Sequence, residues 1–275
     1  TNIIVNAVGI GNSRADLTLG RDGANNTITV KADAGTYTGA EAGSSMATAA
    51  GIESQGGAVT ISGDTTLNAS AQGMTPGAGS NIGRAEAEAN GIVCSLIPIP
   101  IGSTSHALKL GGLTGTISAQ GGTVNTGSDS SASARAYGIE NSETTLTADS
   151  VNLTAQATGG TAGGQASTVD VAARAKGIVQ NGSTEYGTTA QLTVTGPTSL
   201  KVSATGGGYE GTGSAKKSYA LAFGIGDMAV ASYTKGIPYS GTYKLSDVTA
   251  VVSATGGTDN AGSTDPDNPT TGGDV

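Results

Sequence analysis

A few side chains in this 275-residue sequence carry latent chemistry: one histidine, one cysteine, a close pair of glutamates and a set of tyrosines crowded into one half. His106 lies between Ser105 and Ala107 in the longest insertion between repeats. In its nucleophile-elbow form a Ser-His-Asp relay sets the serine on a sharp strand-to-helix turn. No serine in the chain has that setting, so His106 reads as a loop residue. Cys94 follows Gly91-Ile92-Val93 and precedes the apolar stretch Leu96-Ile97-Pro98-Ile99-Pro100-Ile101. A reactive thiol needs a neighbouring cation to stabilise the thiolate. No Lys or Arg is close in sequence, and Cys94 is expected to be a small buried side chain under a packed loop.

Glu86 and Glu88 sit two residues apart, alternating with alanines. Paired carboxylates are the machinery of glycoside hydrolysis when they face each other across a cleft and one has a raised pKa. On one strand they point the same way, and a solvated outer face is expected for both. Asp265, Asp267 and Asp274 are oxygen ligands of the kind Ca²⁺ takes, but their spacing matches no calcium loop. The Gly-Gly-x-Gly-x-Asp repeat of calcium-binding β-rolls is also missing. No catalytic, cofactor-binding or metal-binding residue is assigned.

Six of the eight tyrosines fall in the second half, at positions 186, 209, 219, 233, 239 and 243. Exposed aromatic rings stack on sugars and anchor protein partners. The same rings serve equally well to pin the excursion from Met228 to Tyr243 against a wall. Tyr137, Tyr209, Tyr219, Phe223, Tyr233, Tyr239 and Tyr243 are therefore the candidate partner-binding surface, with Tyr137, Tyr219 and Phe223 in outward phases of a strand.

That strand is the element that organises the chain. A Gly-Ile step recurs at Gly9, Gly51, Gly91, Gly138, Gly177 and Gly224, spaced by 42, 40, 47, 39 and 47 residues. Two residues before each glycine stands Ala7, Ala49, Ala89, Ala136, Ala175 or Ala222. Four before, it is Val5 in the first copy and alanine in the other five. Small apolar residues alternating with polar ones describe a strand with one buried face. Alanine is a poor strand former, so its recurrence at one phase implies a second wall of backbone close by.

A second strand carries inward residues such as Leu67-Ala69-Ala71, Leu153-Ala155-Ala157 and Leu200-Val202-Ala204, and runs into a glycine-rich corner. Glycine is expected there for its access to positive φ. A shorter strand lies between the two, clearest at Val59-Thr60-Ile61, Leu146-Thr147-Ala148 and Leu192-Thr193-Val194. Each is followed by a turn signal such as Gly63-Asp64. The unit is three strands, two tight corners and a variable loop. Arrays of such units bury their apolar faces on one another. The reading is an all-β, parallel β-helix of about six coils over residues 1–255, followed by an acidic Gly/Pro/Thr linker or tail over 256–275.

Composition agrees. Hydrophobic residues make up 36% and charged residues 12%, too few for a thick core and too few charges for a disordered chain. A thin core repeated many times suits both numbers. With a net charge of −8 and no basic run longer than Lys216-Lys217, nucleic acid is excluded as a partner. One cysteine excludes an internal disulfide. No apolar run reaches membrane-spanning length, so this segment is not expected to insert directly. The opening Thr1-Asn2-Ile3-Ile4 is no export signal, which suits a segment of a longer protein. With no capping helix in view, the ends are expected either to continue into further coils or to associate end to end.

The Ala-x-Ala-x-Gly-Ile strand, the Leu-x-Val-x-Ala-Thr-Gly-Gly strand and the Gly/Ser/Thr loops resemble the passenger regions of autotransporters and of filamentous-haemagglutinin-like adhesins. The resemblance covers about residues 1–255 and is one of texture and period. It implies a right-handed parallel β-helix at the bacterial cell surface or outside the cell. It also implies a non-catalytic adhesin or stalk that contacts a host or bacterial surface protein or glycan through loops, without cofactors. Three other functions compete: a self-assembling extracellular fibre subunit, a polysaccharide-acting enzyme and an ice binder. An enzyme of this shape would stack Asp, Arg or Lys on one face of consecutive coils, where this chain has mostly Thr, Ser, Asn and Glu. An ice binder would need a uniform Thr row, and Thr27-Thr29-Lys31 beside Thr66-Asn68-Ser70 is mixed.

Overall fold

The computed structural model describes residues 1–13, 15–95, 107–126, 130–142, 144–164, 169–181, 190–211, 218–227 and 241–259. They form a parallel β-helix of six coils. Each Gly-Ile strand pairs in parallel with its equivalents one repeat away, in the order Asn2–Asn12, Gly43–Ser54, Ile82–Cys94, Ala134–Ser142, Ala173–Asn181 and Ala220–Asp227. The register follows the repeat: Ile10 lies on Ile52, Ile52 on Ile92, and Ile92, Ile139, Ile178 and Ile225 continue the column. A second sheet stacks Leu17–Asp33, Ala58–Gln72, Ala107–Gln120, Thr145–Thr158, Ala190–Thr205 and Gly241–Thr255 in the same sequence of coils.

The short and long strands expected on either side of the Gly63-Asp64 turn belong to this one sheet. The turn survives as a local register shift, seen between Ile61 and Thr65 and between Ala148 and Val151. A further wall follows the glycine-rich corner, where a variable loop was expected. Thr123–Val124, Thr161–Gly164, Gly208–Gly211 and Thr258–Asp259 form one small sheet, and Thr36–Tyr37 with Thr75–Pro76 another. Thr258 and Asp259 fall in the stretch assigned to the tail, yet they pair with Gly208 and Tyr209.

The alanine rows are inward and buried, with Ala49, Ala89, Ala136 and Ala175 all at 0% exposure. Packing overrides their weak strand propensity because the coil is narrow. A methyl group added at Gly51 would sit 2.7 Å from the Gly91 carbonyl oxygen of the next coil and 2.6 Å from Leu67 Cδ2. Each Gly-Ile glycine in the first five coils meets the carbonyl of its successor in this way. The column needs bare α-carbons so that the coil above can seat.

The Gly-Gly corner works by the same logic, and here the sequence expectation is corrected. Gly121, Gly122, Gly159, Gly160, Gly206 and Gly207 do not have positive φ; only Gly35, in the first coil, does (φ 70°). Their role is close approach. The first glycine of each pair continues the ladder to the next coil, as in Gly121 N–H to Thr158 O at 2.9 Å and Gly159 N–H to Thr205 O at 2.8 Å. The second donates across its own coil: Gly122 to Ala85 O, Gly160 to Ala132 O and Gly207 to Val171 O, at 2.9, 2.7 and 2.8 Å. A Cβ at any of these three would lie 2.8 Å from the Cβ of Ala85, Ala132 or Val171 and overlap backbone of the preceding coil. In the second coil Met74 replaces the second glycine, and its N–H goes to the Ser45 hydroxyl at 3.3 Å.

This dip of the backbone into the interior divides it into two apolar columns. The larger contains the alanine rows, the Gly-Ile isoleucines and the leucines of the long sheet. The smaller runs through Tyr37, Met74, Ile82, Val124, Val171 and Tyr209 under the short third wall.

Candidate functional site

The outer face of the Gly-Ile sheet gathers most of the described side chains able to do chemistry. Because register is kept, its outward rows can be read directly. One row runs Asn6, Thr48, Glu88, Arg135, Arg174, Leu221, and its neighbour Val8, Ala50, Asn90, Tyr137, Lys176, Phe223. At several steps adjacent coils place unlike groups on top of each other, although Arg135 lies on Arg174. Arg135 Nη1 lies 3.5 Å from Glu88 Oε2, and Asn90 Nδ2 donates to Glu88 Oε1 at 3.0 Å. The Lys176 ammonium sits 4.6 Å from the centroid of the Tyr137 ring, and the Arg174 guanidinium 5.3 Å from that of Tyr219, whose hydroxyl it also hydrogen-bonds. All but the Asn90–Glu88 bond, which lies within one strand, bridge two coils.

Glu86 departs from the sequence reading. It is 6% exposed rather than solvated. Its two oxygens are held separately, by Arg84 Nη2 at 2.7 Å and by the Ser131 hydroxyl at 2.7 Å. Ser131 arrives from the following coil on the short strand Ser130–Ser131. Burial pushes the Glu86 carboxyl up, but the hydrogen bonds from Arg84 and Ser131, with the charges of Arg84 and Arg135, outweigh it and hold the pKa below the usual carboxylate range. A general acid needs the opposite shift. Burial holds the Lys176 ammonium below its ordinary range, with Glu140 opposing and Arg174 and Arg135 adding to the depression. Burial also pushes the Tyr137 phenol up.

The aromatic surface does not form as one patch. Tyr137 and Tyr219 are half-buried beneath cations of the next or previous coil, and the Phe223 ring lies against Gly226. Tyr209 is a correction: it is 0% exposed and fills the second column, so it cannot meet a partner. Tyr243 packs against the main column, and its hydroxyl accepts from Gln180 N at 3.1 Å and donates to Gly226 O. Tyr233, Tyr239, His106, Asp265, Asp267 and Asp274 lie outside the described residues.

Cys94 is fully buried, and burial pushes its thiol up to about 12, far from a thiolate at neutral pH. It occupies an inward row with Asn12, Ser54, Asn141 and Gln180. The amides in this row are buried stitches that sequence reasoning missed. Asn12 Nδ2 donates to Ala15 O and to Gly56 O of the next coil, both at 2.9 Å. Asn141 Nδ2 repeats the pattern with Thr144 O at 2.8 Å and Gln191 O at 3.2 Å, and Gln180 Nε2 reaches Thr242 O at 3.0 Å. Each amide ties the corner to a carbonyl of the next coil from a buried position. A polar side chain three residues past the Gly, at Asn12, Ser54, Asn141 and Gln180, was the available signal.

The long sheet presents the contrasting face. The row Thr27, Thr66, Thr114, Asn152, Ser199, Thr249 is exposed along its whole length, as is Asp33, Gln72, Gln120, Thr158, Thr205, Thr255. Among the described residues no three His, Cys, Asp or Glu side chains converge as a metal site would require. No protein family, curated protein or solved structure matches the chain.

Proposed function

We propose that this chain is a non-catalytic scaffold segment of a bacterial surface or secreted protein, a stalk or adhesin region that holds loops and outward side chains on a rigid rod. The observation that carries the reading is where the reactive groups are committed. Glu86 is held by Ser131, Glu88 by Arg135, Tyr137 by Lys176 and Tyr219 by Arg174, each across a coil boundary, stiffening the stack rather than converging on a reacting centre. The buried amides do the same from inside. A rod whose polar groups bind its own neighbours resists bending and local opening. The long-sheet face, with its exposed Thr, Asn, Ser and Gln rows and few charges, and the loops remain for contact with a host or bacterial surface protein or glycan.

Two assays test this. Antibody raised against the chain should label intact, unpermeabilised cells of the source organism. The purified chain should bind cells or matrix glycans without changing them. Labelling only after permeabilisation, or release of sugar products from any polysaccharide offered, would refute the proposal.

A further inference from the structure

We propose that the outer face of the Gly-Ile sheet, at the strands Ala134–Ser142 and Ala173–Asn181, binds a carboxylate-bearing sugar, the Arg135 and Arg174 guanidiniums taking the carboxylate and the polar groups around Tyr137 the hydroxyls. The inference rests on the glycan-contact reading above and names the sugar class. Both strands have paired neighbours on either side.

In sequence the two arginines stand a full repeat apart. In the fold they meet, because the parallel register sets Arg135 directly on Arg174, at the usual strand separation of about 4.8 Å. Like charges so placed repel, and the pair is only partly neutralised. Glu88 Oε2 lies 3.5 Å from Arg135 Nη1, longer than a close charge-assisted bond. Among the described residues Arg174 pairs with no carboxylate. Its guanidinium meets the hydroxyl and ring of Tyr219, which carry no charge to balance it. The Arg135 side chain is 32% exposed and Arg174 is half-buried, so a ligand reaches both from solvent.

Tyr137 lies in the adjoining row, at the centre of the cluster. The charges of Arg135, Arg174, Glu88 and Glu140 all act on its phenol, and the Lys176 ammonium sits 4.6 Å from its ring centroid. Asn90 is next to Tyr137 in that row. It is 5% exposed, and its Oδ1 has no hydrogen-bond partner. A buried acceptor without a donor marks a polar network left incomplete at this point.

The charges decide what fits. Two adjacent arginine forks match a planar oxyanion. Glu88 and Glu140 beside them repel a densely charged chain. Glu88, whose side chain is 23% exposed, is also an acceptor for hydroxyl protons. Single carboxylates spaced among hydroxyls meet both demands, and that is the chemistry of a uronate.

The test is calorimetric titration of the full chain with a short oligogalacturonate at low and at physiological salt. The chain should bind it, more weakly as salt rises, and return it uncleaved. The fully methyl-esterified oligomer keeps the hydroxyls and loses the charge, and should not bind. Polyphosphate and polyglutamate should bind clearly less. Arg135→Gln and Arg174→Gln should each weaken the oligogalacturonate about tenfold or more. Arg174→Lys, which keeps the charge without the fork, should fall between. Glu88→Gln should admit polyphosphate, a gain that a merely structural role would not produce. Far-ultraviolet circular dichroism checks the fold of each variant, and the ester comparison needs none of them. No binding by the unsubstituted chain overturns the proposal. So does equal binding of the ester, of polyphosphate or of polyglutamate, or undiminished binding by both arginine variants. A chain that labels intact cells yet ignores the oligogalacturonate refutes this site alone, whereas labelling only after permeabilisation refutes the surface reading beneath it.

Discussion

The middle and terminal coils are built from nearly the same sequence and live in different environments. Leu200 and Val202 in the fifth coil are 2% and 1% exposed, whereas Val248 and Val252 in the sixth, inward by the same phase, are 47% and 44% exposed. Ile139 is 0% exposed, whereas Ile10 and Ile225, its equivalents in the first and last coils, are only partly buried. Burial in this fold is conferred by the neighbouring coils. A residue's contribution to stability therefore depends on its coil number as much as on its type, which is the nearest-neighbour behaviour expected of a solenoid.

Paired substitutions sharpen that contrast. The largest difference is expected for isoleucine truncation. Ile139→Ala should cost about 2–5 kcal/mol in urea titration, because the cavity is closed above and below. Ile225→Ala should cost clearly less, and equal costs would break the comparison. Next comes glycine. Gly51→Ala forces a methyl against the Gly91 carbonyl and should destabilise by about 1–3 kcal/mol, whereas Gly224→Ala should leave the isolated monomer nearly unchanged.

The smallest effect is electrostatic and belongs to the third coil. Glu86 has a lowered folded pKa, so its stabilisation is present above the unfolded value and is lost as pH falls through the folded one. Glu86→Gln should lower the plateau slightly and leave the acid end nearly unchanged, so that the stability profile flattens across that acid window. A variant that keeps the full acid loss would show that Glu86 does not contribute to it.

What the sequence discloses and what it hides divide along physical lines. The Gly-Ile column, the alanine phase and the long-sheet leucines were legible because strands of eight to seventeen residues repeat their period often enough to be seen. The sixth short copy was blurred because Tyr243-Lys244-Leu245 stands where Leu192-Thr193-Val194 and Leu146-Thr147-Ala148 show aliphatic residues, although the register is the same. The third wall was hidden because strands of two to four residues, such as Thr123–Val124 and Gly208–Gly211, have no period to read. Tyr209 was misassigned to the surface for that reason: its inward phase is set by Val124 and Ala162 in other coils. Glu86 was taken as solvated because the Ser131 hydroxyl that helps to bind it comes from forty-five residues away. Local alternation predicts the face a residue points to. What then covers that face is decided by the next coil.

The central claim is that successive coils lie in register as one column, and a distance measurement across the whole stack tests it most directly. Thr27 and Thr249 are exposed and stand at the two ends of one row, with Thr66, Thr114, Asn152 and Ser199 between them. Spin labels on Thr27→Cys and Thr249→Cys, measured by pulsed electron resonance in an excess of unlabelled chain, report five coil steps, and buried Cys94 stays unlabelled. At the usual strand separation the account predicts a single population with about 24 Å between the two backbone sites, broadened by the label linkers. A separation well outside that value, or two populations of comparable weight, would contradict the in-register stack.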